Sequence, residues 1–306
     1  MRILIVGAGS TGGFFGAKLA NAGRDVTFLV RPQRLRLIEQ HGLSVRSPAG
    51  DIDIQPQLIT SAQINGTFDI VLLAVKAYTL DSALQDMAAA VGPQTVILPL
   101  LNGMRHMDLI AEKFGAERLL GCACKVATSL DGSGRIIQQG TFNDISYGEL
   151  DGSDSDRLAA VHAFMRDAGF DANTSHTILR DMWEKWTLLA AMGSINCLMR
   201  GSIGEVVAAA GGHEFATRVI DEVVTIVRAT GQEPSEPFLT QAYRLLTLQG
   251  SPQTSSMYRD LVAGRAIEAD QIVGDLLVRA SAKGVEAPLL TLVYAHLLVY
   301  QARIHT

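Results

Sequence analysis

The sequence predicts an α/β domain built on a parallel sheet, followed by an all-helical domain, and three observations lead there. Apolar runs of strand length alternate with helical runs through the first half of the 306 residues. A glycine-rich turn joins the first strand to the first helix, and strand signals stop after about Leu179. Alternation of this kind means parallel strands covered by helices, and 306 residues suffice for about two domains with cores of their own.

The first strand is Arg2-Ile3-Leu4-Ile5-Val6, and it runs directly into Gly7-Ala8-Gly9-Ser10-Thr11-Gly12. G-x-G-x-x-G between an apolar strand and a helix is the Rossmann-type dinucleotide fingerprint. Gly7 permits the tight turn, Gly9 lets backbone approach a pyrophosphate, and Gly12 lets the helix lie close on the strand. The helix opens with Ser10 and Thr11, and its unpaired N–H groups and dipole point at the pyrophosphate. The helical run Phe14-Phe15-Gly16-Ala17-Lys18-Leu19-Ala20 supplies the context that the fingerprint requires. Without a ligand the same residues would make an ordinary tight strand-to-helix turn.

The second strand, Asp25-Val26-Thr27-Phe28-Leu29-Val30, ends in Arg31, followed by Pro32, Gln33 and Arg34. A carboxylate at this strand end accepts hydrogen bonds from the ribose 2′-hydroxyl of NAD. Arginine instead binds a 2′-phosphate through paired, charge-assisted hydrogen bonds, so NADP (NADPH) is expected rather than NAD. The alternative is a solvated surface arginine.

Next comes a hairpin signal, Leu43-Ser44-Val45-Arg46 and Ile52-Asp53-Ile54 around Ser47-Pro48-Ala49-Gly50. Phe68 to Val75 has the pattern of a buried strand, Thr79 to Val91 of a helix, and Thr95 to Leu100 of another buried strand. Ligands of open parallel sheets bind beyond the carboxyl ends of the strands. Two strands deliver polar residues there: Lys76 after Val75, and Asn102-Gly103 after Leu100-Leu101. A solvated helix start would also explain Lys76, and turn chemistry alone would explain Asn102 before a glycine.

From about Leu119 to Leu150 the pattern is β-like, with turn residues at Asp131-Gly132-Ser133-Gly134, and Asp156 to Ala168 has a helical pattern. The remainder is helical: Met182 to Met199, Phe215 to Thr230, Ser235 to Leu248, Met257 to Lys283, and Pro288 to Arg303. The expected domains are residues 1–175, binding NADP, and 176–306, the helical substrate and catalytic domain. There is no internal repeat.

Composition narrows the class. Hydrophobic residues make up 48% and charged ones 19%, within the range of globular enzymes, and the net charge of −5 without a basic run argues against nucleic acid. The three cysteines, Cys122, Cys124 and Cys197, lack disulfide or zinc spacing. Cys122-x-Cys124 falls in a strand, where packing is the simpler role. The N-terminus enters a strand at once, without a signal peptide, and no apolar run reaches the ~20 residues of a membrane span. A soluble, cytoplasmic protein is expected.

Lys185 is the sharpest chemical signal in the second half. Its helical neighbours are Met182 and Trp186, then Leu188, Leu189 and Met192. An ammonium on so apolar a face must reach water or find partners, because burial disfavours the charged form. Such a lysine suits proton donation; the plain alternative is a lysine whose head snorkels at a domain edge.

Taken in order, Gly7-x-Gly9-x-x-Gly12, Arg31, Val75-Lys76, Leu101-Asn102-Gly103-Met104, Trp183-Glu184-Lys185, Ser255-Ser256-Met257-x-x-Asp260 and Glu268-x-Asp270 resemble the ketopantoate reductase family. The resemblance covers essentially the whole chain. It implies NADPH-dependent reduction of a 2-keto acid to a 2-hydroxy acid, the pantothenate-pathway step in the best-known members. It implies an active site in the cleft between a Rossmann domain and a helical domain. Lys185 would then stabilise charge on the carbonyl oxygen and supply the proton, and Glu268, from the later helix, would hold the substrate hydroxyl or orient the lysine. Ser256 would hydrogen-bond the substrate carboxylate, Asn102 would lie near the nicotinamide and the reacting groups, and Lys76 near the cofactor. Outside the resemblance, Glu268 is an exposed helix carboxylate and Ser256 a helix N-cap before Met257.

The chain departs from the family pattern at two places. Leu189 stands where the best-known members carry an asparagine one helical turn after the lysine, and Gln253 stands for an asparagine upstream of the serine pair. Losing an amide from the pocket removes a hydrogen bond worth about 1 kcal/mol and favours a bulkier or more apolar keto acid. Two further readings stay open: a related 3-hydroxyacid dehydrogenase, and an NADPH-binding protein without turnover. The apolar last helix, Leu289 to Tyr300, faces either a core or a second subunit, and a homodimer is expected.

Overall fold

The computed structural model describes residues 1–304. The chain divides into two units, Met1–Leu101 with His106–Leu179, and Asn102–Arg105 with the chain from Arg180 onward. The division falls inside a helix, four residues beyond the expected boundary, because the strand-poor segment after 175 already continues as helix from Ile178. The short loop 102–105 groups with the second unit although its neighbours in sequence belong to the first.

The first unit contains β1 (Arg2–Val6), α1 (Ser10–Asn21), β2 (Asp25–Leu29), α2 (Pro32–His41), β3 (Leu43–Arg46), β4 (Ile52–Ile54), β5 (Gln57–Ile59) and β6 (Ile70–Leu73). It continues through α3 (Leu80–Asp86), β7 (Val96–Pro99), α4 (Arg105–Phe114), β8 (Gly121–Leu130), β9 (Ile136–Gly148), α5 (Asp156–Met165) and β10 (Asp171–Thr174). One sheet has the order β5-β2-β1-β6-β7 with every pairing parallel. The second runs β10-β9-β3-β4, with β8 paired antiparallel to β9. The 43–54 hairpin and the β-like 119–150 segment therefore both belong to this second sheet.

Helix α1 packs against both sheets, on β1 and β2 of the first and on β3, β4, β8 and β9 of the second. Such a helix must be apolar all round, and Gly12 to Leu19 is buried throughout. Its glycines give the clearance: a Cβ at Gly13 would stand 2.5 Å from Ile136 Cδ1 of the second sheet, and one at Gly16 2.5 Å from the Phe28 ring of the first. Phe14 and Phe15 meet edge to face at 5.3 Å, and Phe15 meets Phe170 at 5.1 Å. Lys18, the one charged residue of the buried run, donates from Nζ to the Gly169 carbonyl at 2.8 Å. Cys122 and Cys124 of β8 are buried, as packing requires.

The second unit holds α6 (Ile178–Met199), α7 (Ile203–Ala208), α8 (Gly212–Ala229), α9 (Glu236–Leu246), α10 (Ser256–Val262), α11 (Asp275–Ala282) and α12 (Pro288–Ile304). The amphipathic α8 packs on α7, α9, α11 and α12. Glu222 of α8 caps the start of α12, its two oxygens accepting from Leu289 N at 3.0 Å and Leu290 N at 3.1 Å. The helix expected over Met257–Lys283 is broken. α10 ends at Val262, Gly264 adopts φ +68°, and the chain re-enters helix through a π-helical turn, Asp270–Gly274. Periodicity could not show this, because the apolar spacing on either side of the break still fits one helix.

Between β9 and α5, Glu149 is held by Arg157 Nε at 2.7 Å and by Arg157 Nη2, and Ser155 Oγ donates to it at 2.5 Å. Arg157 Nη2 also reaches the Leu119 carbonyl at 3.2 Å, so this pair ties the β9–α5 connection to the entry of β8. The Arg157 guanidinium, ahead of the opposing effect of burial, holds the Glu149 carboxyl below its usual range. A depressed folded-state value stabilises above the unfolded value, and that stability is lost as pH falls through the folded one. Glu149→Gln should therefore cost about 1–3 kcal/mol at neutral pH. The gap from the native chain should close below about pH 4, as read from urea unfolding at both pH values.

Candidate active site

Gly7 closes the turn after β1 with φ +99°, and a Cβ there would stand 2.8 Å from the Ala74 carbonyl oxygen and 3.0 Å from Val75 Cγ1. A Cβ at Gly12 would collide with the Gly7 carbonyl, so the first turn of α1 can lie on the loop only with glycine there. Gly9 differs, because a Cβ built on it meets nothing within 4 Å. It is the N-cap of α1, with no side-chain cap and no acidic residue in the first turn. The N–H groups of Ser10, Thr11 and Gly12 lie ahead of the first intrahelical bond, which runs from Gly13 N to Gly9 O at 2.9 Å. Ser10 and Thr11 are half-exposed. Open space over Gly9 beside an uncapped helix start fits the pyrophosphate of a dinucleotide.

Arg31 is the N-cap residue of α2, exposed beyond the end of β2, and its Nη2 donates to Ser82 Oγ of α3 at 2.6 Å. Arg34, one turn later, has a role that sequence reading missed. Its Nε donates to the Ala8 carbonyl at 2.9 Å and its Nη2 to the Gly134 carbonyl at 3.2 Å. It thereby joins the glycine turn to the tip of the β8–β9 hairpin, and burial lowers its pKa. The i, i+3 spacing from Arg31 was the available signal. Lys76 is exposed and caps a 3₁₀ turn, Ala77–Thr79, two residues past the Ala74 carbonyl that faces Gly7.

In the second unit, α6 carries Lys185, which is half-buried rather than enclosed. Met182, Trp186 and Met192 around it are buried, whereas Leu188 and Leu189 are half-buried. The neighbouring Trp186 donates from Nε1 to the Ile272 carbonyl at 3.1 Å, in the π-helical turn. Glu268 is half-buried and lies just ahead of that turn, its carbonyl accepting from Ile272 N at 3.0 Å. It therefore sits at the entry to a helix rather than within the long helix expected. Asn102 is half-buried in the loop before Gly103, whose φ is +80°.

Ser256 is exposed at the first position of α10, and the N-cap is Ser255, whose Oγ accepts from Tyr258 N at 3.1 Å. The capping role expected at Ser256 is thus filled one residue earlier, because Ser255 has the extended backbone that a cap needs. Asn196, fully buried on α6, fixes this segment: its Oδ1 accepts from Ser255 N at 2.8 Å, and its Nδ2 donates to Gly201 O at 2.9 Å. Sequence reading passed over it, since one asparagine in an apolar helix carries no periodic signal.

A parallel sheet with an uncapped glycine turn, continued by a helical unit carrying a lysine and a carboxylate, is the arrangement expected of a nicotinamide-dinucleotide oxidoreductase. Residues 3–152 match the family described as Ketopantoate reductase PanE/ApbA, and residues 177–301 match Ketopantoate reductase PanE/ApbA C terminal. The chain belongs to the ketopantoate reductase family, whose enzymes act on CH–OH groups and reduce 2-keto acids. It is 34% identical over 303 residues to the uncharacterized oxidoreductase YkpB of Bacillus subtilis, covering 99% of each chain. A 2-dehydropantoate 2-reductase structure from Geobacter metallireducens is 26% identical, with TM-score 0.87 and 98% and 99% of the two chains covered. In fold alone the chain is also similar to D-mandelate dehydrogenase, solved with NADH and anilino(oxo)acetate, at 21% identity and TM-score 0.87 over 100% of both chains. No helix among the described residues is long and apolar enough to cross a membrane.

Two substitutions separate ligand approach from packing. Gly9→Ala should leave thermal stability unchanged and weaken dinucleotide binding about tenfold, a loss of about 1.4 kcal/mol. Gly12→Ala should lower both stability and affinity. Calorimetric binding and thermal unfolding of the two variants check this.

Proposed function

We propose that the protein catalyses NADPH-dependent reduction of a 2-keto acid to a 2-hydroxy acid, with ketopantoate the first substrate to test. The observation that carries this is membership of one reductase family over both parts of the chain, with Lys185 and Glu268 present in the second. The residues for the cofactor are Gly7, Gly9, Ser10, Thr11 and Gly12 at the pyrophosphate, Arg31 at the 2′-phosphate, Lys76 near the cofactor, and Asn102 near the nicotinamide and the reacting groups. When bound, NADPH supplies the hydride that the keto carbon accepts.

Lys185 faces the keto oxygen with its ammonium, stabilises negative charge growing there, and hands over a proton from Nζ. Glu268 accepts a hydrogen bond from the substrate hydroxyl or orients Lys185. Ser256 Oγ donates to the substrate carboxylate from the start of α10. Leu189, half-buried one turn beyond Lys185, offers methyl groups where the family pattern has an amide. That favours a keto acid with a bulkier or more apolar tail, and it makes aryl and branched 2-keto acids the second group to assay. Action within a pantothenate pathway and in the cytoplasm is part of the same proposal, as is assembly into a homodimer.

A panel of 2-keto acids followed through NADPH absorbance decides the matter: turnover of at least one is expected. Tight NADPH binding with no turnover on any member would overturn the proposal. Lys185→Ala should lower kcat about 10²–10⁴-fold while leaving NADPH affinity in place. Arg31→Ala should weaken NADPH about tenfold with little change for NADH, since only the former presents a 2′-phosphate.

A further inference from the structure

Trp186 sits where three segments of the second unit meet, and each segment carries one residue of the proposed machinery. On α6 it directly follows Lys185. Its indole Nε1 donates at 3.1 Å to the Ile272 carbonyl, inside the π-helical turn that begins two residues after Glu268. Its ring also lies against the loop that follows Asn102. A Cβ built on Gly103 would stand 3.9 Å from Trp186 Cε2 and 2.8 Å from the Gln271 carbonyl oxygen. With φ +80° and no side chain, Gly103 lets that loop press against the tryptophan and the π-helical turn together.

The indole has a charged neighbour as well. The Arg279 guanidinium lies 5.4 Å from the Trp183 ring centroid and 5.6 Å from that of Trp186, and it pairs with Asp275 at 3.1 Å. Trp186 is fully buried, so no solvent can replace its donor if the indole N–H is lost. A π-helical turn is a widened, non-standard segment, frequent at functional sites, and its shape depends on what holds it. Here Tyr294 Oη donates to Asp270 Oδ1 at 2.6 Å at the start of the turn, and Trp186 holds its middle.

We propose that Trp186 is a positioning residue of the reaction, setting the mutual placement of Lys185, Glu268 and Asn102 without touching substrate. The proposal rests on the reductase function above. A hydrophobic side chain that merely filled the core would need the ring but not the N–H, and this difference supplies the test. Trp186→Phe keeps an aromatic ring and deletes the donor to Ile272.

The expected result is a fall in kcat of about tenfold to a hundredfold, with NADPH affinity held within about twofold of the native value. Added to Lys185→Ala, Trp186→Phe should cause a smaller further loss than it does in the native chain, because part of its effect is to place the lysine. Hydrogen–deuterium exchange, which needs no substrate, should quicken at residues 102–105 and 268–274 and stay unchanged elsewhere. Gly103→Ala, which disturbs the same junction from the loop side, should give the same exchange pattern. The proposal is overturned if Trp186→Phe leaves kcat and exchange unaltered, or if its loss multiplies with that of Lys185→Ala. A native protein inactive on every 2-keto acid would instead overturn the reductase function, and the exchange pattern would still decide whether Trp186 sets these segments.

Discussion

The contact between the first turn of α1 and the loop that precedes it constrains the whole first unit. Gly12 must lie on the Gly7 carbonyl with no Cβ between them, and Gly7 must turn at φ +99° against Ala74 and Val75. Once that contact is made, α1 is locked over β1 and β2. Its N-terminus then opens at the carboxyl ends of the strands, where open parallel sheets bind their ligands. Gly16 lets the helix lie close on Phe28 of the first sheet, and Gly13 lets the second sheet close over its other face. The Gly7 end of the loop is fixed by this packing, while the space over Gly9 stays open.

Most of the first unit was legible because its signals are local. A strand, a glycine turn and a helix occupy adjacent residues, and the backbone conformation of Gly7 follows from its residue type alone. Arg31 was legible for the same reason, at a position fixed by the end of β2. Arg34 was not, since its partners, Ala8 and Gly134, lie 26 and 100 residues away and no periodicity reports them. Glu149 and Arg157 form a similar pair, visible only once β9 and α5 are placed.

The second unit was legible as helix and illegible as a site. Apolar spacing identified α6, α8, α9 and α12, but it ran through Gly264 and missed the break before Glu268. The loop 102–105 was read as the end of a strand in the first unit, whereas it groups with the second. Lys185 stood out on its apolar helix face, and resemblance added Glu268 and Ser256 as points on a line. The structure adds what the line lacks: Asn196 under the serine pair, and a π-helical turn held from both sides.

Cys197 gives this fold a chemical consequence of its own. It is buried near the end of α6, and burial pushes its thiol up to about 12. Only a thiolate attacks an oxidant or an alkylating agent, and in the native state this sulfur is neither ionised nor reachable. Cys122 and Cys124 are shut away in β8. An oxidoreductase is thus closed to stray electrophiles at its three cysteines. Thiol-directed reagents should reach these three sulfurs only after the chain unfolds.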